Sequence, residues 1–268
     1  MSARPIMLGI AGGSGSGKTH LARQIRRMAG ESVVSVISMD SYFQTETHDD
    51  GAAVNFDHPG HLDLNQMLAD LDALRAGRVA EVPSYDFRTM RQTPRAQRVD
   101  PTPVVIVEGL FVLGEPIVSR FDLTCFLDVA DDQRLLGRIL RDRTERNATI
   151  EEIVDRYQRF VRPSYAVFVA PARHNADVVV DFTYRRAFFA RLLAHIVRDY
   201  VRGELDLASL IHEIRQENYT IGYRMDQGVM PATIDLRDLA RAYPETAFPP
   251  SMPNDVGPGA LYLGREGH

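Results

Sequence analysis

Apolar positions along the chain follow two patterns, short runs and stripes that recur every three or four residues. Residues 6–10, 33–39, 104–107, 123–129 and 176–180 are runs, and such runs predict strands buried on both faces. The stripe Leu21, Ala22, Ile25 and Met28 predicts a helix stopped by Gly30. A second helix, over residues 62–74, follows from Leu64, Met67, Leu68 and Leu71, with Gly77 to end it. Residues 132–146 carry Leu135, Leu136, Ile139 and Leu140 on one side and Arg134, Arg138, Arg141 and Arg143 around the rest. Residues 187–200, with Phe188, Leu192, His195 and Ile196, predict a further amphipathic helix, and residues 205–214 another. Strands alternating with helices predict an α/β fold, a parallel sheet with right-handed crossovers and helices on its faces.

Some segments fall outside that alternation. Residues 41–60 are polar and glycine-containing and read as a loop. Residues 79–87 alternate enough for a short strand or hairpin, followed by an arginine-rich loop. The insert from about 44 to 102 therefore reads as a small substrate-binding lobe outside the main sheet. Residues 185–243 read as a helical C-terminal extension. Residues 244–268 are dense in proline and glycine and predict an irregular or disordered tail. No internal repeat is present.

The first strand-to-helix junction carries Gly12-Gly13-Ser14-Gly15-Ser16-Gly17-Lys18-Thr19, a G-x-x-x-x-G-K-[ST] phosphate loop in composition, spacing and context. Glycines let backbone N–H groups turn inward around a polyphosphate, and the helix that follows adds the positive end of its dipole. Lys18 is the only lysine in the chain, so the other basic residues among its 31 are all arginine. Lysine is kept at the one position where a compact ammonium must sit between phosphates and a planar fork does not fit. The junction reads as a nucleotide site of the P-loop NTPase type, contacted by residues from Gly12 to His20.

Composition narrows the class further. A chain of 268 residues, 44% apolar and 25% charged, has the make-up of a soluble globular protein. A net charge of −5 without a lysine-rich block argues against a nucleic-acid or membrane-surface binder. Cys125 is the only cysteine, so no intrachain disulfide exists; in residues 123–127 it reads as a buried strand thiol. Together these features predict a cytoplasmic protein acting on a small molecule, with homo-oligomerisation left open.

Asp40 follows the second run and Glu108 ends the run at 104–107, and in open parallel sheets ligands gather at such strand ends. Phosphoryl transfer needs a cation on the β and γ oxygens, a held Mg²⁺, and a group to take the proton of the attacking hydroxyl. Lys18 fills the first role. Thr19 and Glu108 are candidates to hold the metal, with Asp40 a further candidate ligand and the better general base. A turn cap at Asp40 and a strand-end ion pair at Glu108 are the structural alternatives.

Several blocks carry a family resemblance. They are residues 9–19, Met39-Asp40-Ser41-Tyr42-Phe43, Asn55-Phe56-Asp57-His58-Pro59, Pro83-Ser84-Tyr85-Asp86-Phe87, residues 105–110, Arg141-Asp142-Arg143-Thr144-Glu145-Arg146, Val161-Arg162-Pro163 and Ala176-Asp177-Val178. In this order they resemble the uridine/cytidine kinase branch of the phosphoribulokinase and uridine kinase family. The resemblance implies transfer of the ATP γ-phosphoryl group to the 5′-hydroxyl of a pyrimidine ribonucleoside. It implies Asp40 as base, Asp57 on the ribose hydroxyls, and Tyr85 and Phe87 beside the base. Arg138, Arg141 and Arg146 would come from a lid at about 132–150.

The chain departs from the family where Met90 stands for a base-reading histidine, Arg156 for a glutamine, Ala148 for a lid arginine, and Asp181-Phe182-Thr183 for Pro-Arg-Gly. Met90 and Arg156 are kept as acceptor-facing candidates. Methionine offers no directed hydrogen bond to a carbonyl. Arg88, Arg91 and Arg156 would also suit an anionic sugar alcohol. A nucleotide-dependent switch is the remaining alternative, although a guanine-reading Asn-Lys-x-Asp element is excluded by the single lysine.

Overall fold

The structure is a computed structural model and describes residues 4–45, 54–226 and 235–244. Strand β1 (Ile6–Gly12) is buried at every position. Its successive residues feed opposite faces. Met7 and Ala11 join one core cluster with Met67, Leu71 and Leu74, while Leu8 and Ile10 join another with Leu21, Ile25, Phe189 and Leu193. This is the period-two pattern of a strand covered on both sides.

The first cover is α1 (Lys18–Ala29), and β2 (Val34–Ser38) follows it. Helix α2 (Leu64–Arg75) supplies the second. The hairpin β3 (Ala80–Asp86) and β4 (Arg91–Val99) comes next, then β5 (Val104–Glu108) and β6 (Leu123–Asp128). Beyond them lie α3 (Asp131–Glu145), α4 (Ile150–Arg156), α5 (Arg162–Ser164), β7 (Val178–Asp181), α6 (Arg186–Val201), α7 (Leu207–Asp226) and α8 (Leu236–Ala242). The main sheet has five strands in the order β2-β5-β1-β6-β7, all paired in parallel. Strand β1 therefore lies where the sequence order of its neighbours reverses, and the loop after it opens at that switch point. Ile10 and Ser38 both pair in register with Glu108, which brings the phosphate loop, the end of β2 and Glu108 to one edge.

One expectation from the sequence is corrected and another is given its bounds. The arginine-rich segment after residue 87 is strand β4, not a loop. It pairs antiparallel with β3 in a separate two-stranded sheet. The register shifts between Val82 and Ser84, around Pro83, because proline has no N–H to give the ladder. Residues 150–175, where helical stretches without set bounds are expected between the strands, form a nearly continuous helical rod. It starts at a capping box between Thr149 and Glu152 and widens into π-type turns at Tyr157–Val161 and Tyr165–Val169. Pro163 sits between those turns, where its missing donor breaks the ordinary i→i−4 ladder.

Cys125 is buried in β6, and burial pushes its thiol up to about 12, so it stays a neutral packing group. Residues 245–268 of the proline- and glycine-rich tail lie outside the described residues. Among the described residues no helix is long and apolar enough to cross a membrane.

Candidate active site

Each functional side chain is delivered by a local feature of the fold. Gly15 and Gly17 hold φ values of 82° and 92°, the left-handed region that L side chains avoid, and this lets the loop wrap around a phosphate. Lys18, the first residue of α1, donates from Nζ to the carbonyls of Gly12 at 2.9 Å and Gly13 at 3.0 Å. Burial holds its pKa below the ordinary lysine value, with Glu108 and Asp40 pulling the other way. Thr19, one residue on, donates from Oγ1 to Glu108 Oε1 at 2.9 Å. Glu108 is 3% exposed, and burial followed by the charge of Asp40 raises its pKa.

Asp40 sits in a 3-10 turn, Met39–Tyr42, fixed at both ends. Tyr42 is fully buried and donates to Asp70 Oδ2 of α2 at 3.0 Å. Met39 packs onto Gly109 so closely that a Cβ there would lie 2.9 Å from its sulfur. The Asp57 loop is held by Asn55, whose side chain accepts from Asp57 N at 3.0 Å and donates to Ser164 Oγ of the rod at 3.3 Å.

Helix α3 inverts the usual amphipathic arrangement. Arg134 and Arg138 are 2% and 5% exposed, whereas Leu136 and Leu140 are 54% and 69% exposed. The arginine side therefore faces the protein, against the solvated face that a charged helix surface ordinarily forms. Arg138 donates to Ser14 Oγ at 2.8 Å and to Asp57 Oδ2 at 3.5 Å, joining phosphate loop to acceptor loop. Gly137 makes this approach feasible, since a Cβ there would lie 2.6 Å from the Gly15 carbonyl oxygen. Arg146 stacks its guanidinium 4.1 Å from the centre of the Phe87 ring.

Asp142 collects the arginines. Its carboxylate lies 2.8 Å from Arg141 Nε, 3.2 Å from Arg138 Nε and 3.5 Å from Arg146 Nε. Burial raises the Asp142 pKa, but Arg141 and Arg138 outweigh it and hold the carboxyl below its ordinary range. Nothing in the sequence reading singled it out, although an aspartate with arginines four before, one before and four after it on one helix is a visible signal. Removing one partner from a buried ion cluster costs about 3 kcal/mol or more, so Asp142→Asn is expected to lose that much stability at neutral pH. A lowered pKa in the folded state means the stabilisation is present above about pH 4 and lost as pH falls through the folded value. Denaturant curves of both proteins from about pH 7 to about pH 3 check this. A stability gap that stays constant over the range contradicts it.

Ser14, Lys18, Asp40, Asp57, Glu108, Arg138, Arg141 and Arg146 line one cleft, with Phe43, Phe56, Phe87 and Leu110 as its apolar wall. About 50 Å³ of room remains in it, against roughly 300–1,000 Å³ for ordinary ligand pockets. A second cavity of about 480 Å³ adjoins it, sharing Phe56, Phe87 and Arg146 and adding Met90, Ala148 and Arg156.

Some residues expected in the cleft stand elsewhere. Tyr85 packs among Phe43, Phe56 and Phe87 with ring centres 5.0–5.9 Å apart, behind the lining. Met90 tips the β3–β4 turn at φ 53° and is 39% exposed, and Arg156 donates to Val54 O at 2.8 Å, so both belong to the second cavity. His20 is exposed on α1 and lines neither space. Phe43, Phe56 and Leu110 were missed as lining residues, although each lies inside a block that carries the resemblance.

The donor set at Thr19 and Glu108 is a hydroxyl and a carboxylate, hard oxygen ligands of the kind Mg²⁺ takes when phosphates supply the rest. Among the described residues no cluster of three acidic, histidine or cysteine side chains could hold a metal by itself.

The sequence profile of the phosphoribulokinase / uridine kinase family matches residues 7–187. Over 183 residues, 67% of this chain and 88% of the relative, the sequence is 38% identical to the uridine kinase of Chloroflexus aurantiacus. It is 36% identical over 181 residues to that of Clostridium perfringens, covering 66% of this chain and 87% of the relative. In fold it resembles a protein described as a fructose transport system kinase from Silicibacter sp. TM1040, at a TM-score of 0.55 and 19% identity over 67% of this chain and 91% of that one. It also resembles the phosphoribulokinase of Rhodobacter spheroides, at 0.50 and 19% identity over 69% and 75%. With the phosphate loop at the switch point of a parallel sheet and a family match over most of its length, the chain belongs to the phosphoribulokinase / uridine kinase family, as an ATP-dependent kinase with a hydroxyl acceptor.

Proposed function

We propose that the protein transfers the γ-phosphoryl group of ATP to the 5′-hydroxyl of a pyrimidine ribonucleoside. One observation carries this reading. Two carboxylates, Asp40 and Asp57, line the same cleft as Lys18 and three arginines, and its aromatic wall continues into a cavity large enough for a planar base. Asp40 takes the proton as the hydroxyl oxygen bonds to the γ-phosphorus and the bridging oxygen leaves on ADP. Lys18 and the loop N–H groups hold the β and γ oxygens, and Arg138, Arg141 and Arg146 neutralise charge on the moving group. Asp57 accepts hydrogen bonds from the ribose hydroxyls, and Phe56 and Phe87 cover the base. Thr19 and Glu108 would hold Mg²⁺, which would supply positive charge to offset that of the phosphates.

In this reading residues 44–102 serve as the acceptor lobe, 132–150 as the lid, and 185–243 as an extension bracing the kinase unit. A diffusible acceptor and a single buried cysteine fit action in the cytoplasm.

The second cavity favours one other acceptor. Arg88 and Arg156 line it beside Met90, and guanidinium forks suit an anionic sugar alcohol better than a neutral base. One panel separates the two: ATP with uridine, cytidine, purine nucleosides, sugars and sugar phosphates, read as ADP release. ADP release that depends on uridine or cytidine is the expected outcome. Transfer to a sugar phosphate with none to any nucleoside overturns the assignment.

A further inference from the structure

The segment of α8 and its flanks lies beyond the family match, yet it docks on the lobe that carries Asp57. Leu236 is 1% exposed, and its N–H donates to the Glu115 carbonyl at 2.9 Å. Its side chain fills the space over Gly114, where a Cβ would come within 2.5 Å of Cδ2. Arg237 donates to Asn65 Oδ1 at the start of α2, at 2.9 Å. At the far end the Tyr243 ring packs edge-on against Phe168, with centres 6.4 Å apart.

The contact that matters most for function is with His58, the residue after Asp57. Its Nδ1 accepts from Gly60 N at 3.1 Å, which leaves Nε2 as the protonated nitrogen. Nε2–H then donates to the Tyr243 carbonyl at 2.8 Å. The imidazole is 5% exposed and stacks edge-on to Phe168, with ring centres 5.0 Å apart. Asp57 is thus bracketed, with Asn55 tied to the rod on one side and His58 tied to the C-terminal segment on the other.

We infer that residues 235–243 act as a clasp that positions the Asp57 loop for acceptor binding, so this part of the chain tunes affinity for the acceptor and leaves the nucleotide side alone. A clasp fixes the loop before substrate arrives and removes an ordering cost that acceptor binding otherwise carries. The phosphate loop, Lys18 and Glu108 make no contact with the segment among the interactions described above, which is why the effect is one-sided. The inference rests on the acceptor role given to Asp57 under Proposed function.

The test uses the full chain with two variants that release the clasp from opposite sides. Leu236→Ala empties its anchor, and Gly114→Ala fills the socket from the sheet side. Both are expected to raise the KM for the nucleoside about tenfold, the effect of roughly one lost anchoring contact, while KM for ATP stays within about twofold and Leu236→Met behaves as wild type. Hydrogen exchange over residues 235–243 reports whether the segment has come loose. Loosened exchange with an unchanged acceptor KM overturns the clasp, as does an equal rise in both KM values, which marks general damage to the fold. If the wild-type enzyme phosphorylates no nucleoside, the acceptor assignment has failed instead, and the two failures are told apart by that control.

Discussion

Lys18→Ala is expected to abolish measurable phosphoryl transfer, a loss of at least about 10³-fold in kcat/KM, the scale set by removing one preorganised charge from a transition state. The reason lies in its packing. Nζ is already held by two loop carbonyls, so the ammonium is placed before nucleotide arrives and spends no binding energy on being ordered. Its pKa is lowered mainly by burial, so the charge is poorly solvated and strongly available to phosphate oxygens. Lys18→Arg is expected to fail as well, because a planar fork cannot make the same two contacts within the loop's curvature. Steady-state ADP release together with nucleotide binding by calorimetry checks both variants. Activity within about tenfold of wild type in either contradicts the role given to Lys18.

Asp40→Asn is expected to lower kcat by about 10²–10⁴, the range for loss of a general base, with little change in ATP affinity. Asparagine keeps the size and sits in the same turn, which Tyr42 and Met39 anchor independently of the Asp40 carboxylate. The substitution therefore removes proton acceptance without moving the backbone. It also removes a charge that raises the pKa of both Glu108 and Lys18. Single-turnover rates with saturating ATP separate chemistry from product release. An unchanged rate there assigns the proton to another group.

Comparison of the two variants carries more than either alone. Loss of Lys18 is expected to act on the nucleotide side of the cleft and loss of Asp40 on the acceptor side, while Arg138 contacts both Ser14 and Asp57. The same cleft holds both sides, and little free room remains in it.

Local pattern was enough to place the buried strands, the phosphate loop and the carboxylates Asp40 and Glu108. A strand between two helical layers must be apolar on both faces, and its carboxyl end is then the first place where polar chemistry can start. The loop glycines and the lone lysine depend on backbone geometry within a few residues. Strand β4 was harder to see, since a two-stranded hairpin outside the main sheet buries too little to leave an apolar alternation. The bounds of the rod at 150–175 were blurred by Pro163, which breaks the periodicity that a helix otherwise leaves in the sequence.

By itself, then, the sequence determined the order of the main-sheet strands, the nucleotide loop and the family blocks, because each depends on residues close together in the chain. Only the tertiary structure decided that the arginine side of α3 turns inward, that Asp142 gathers three guanidinium groups, and that Tyr85 stands behind Phe56 and Phe87. It alone decided that Tyr243 meets His58 across 185 residues. Periodicity reports how each segment divides its own surface between water and interior. Which surfaces then meet is set by packing between distant segments, where a buried charge is tolerated only when its partner arrives from elsewhere in the fold.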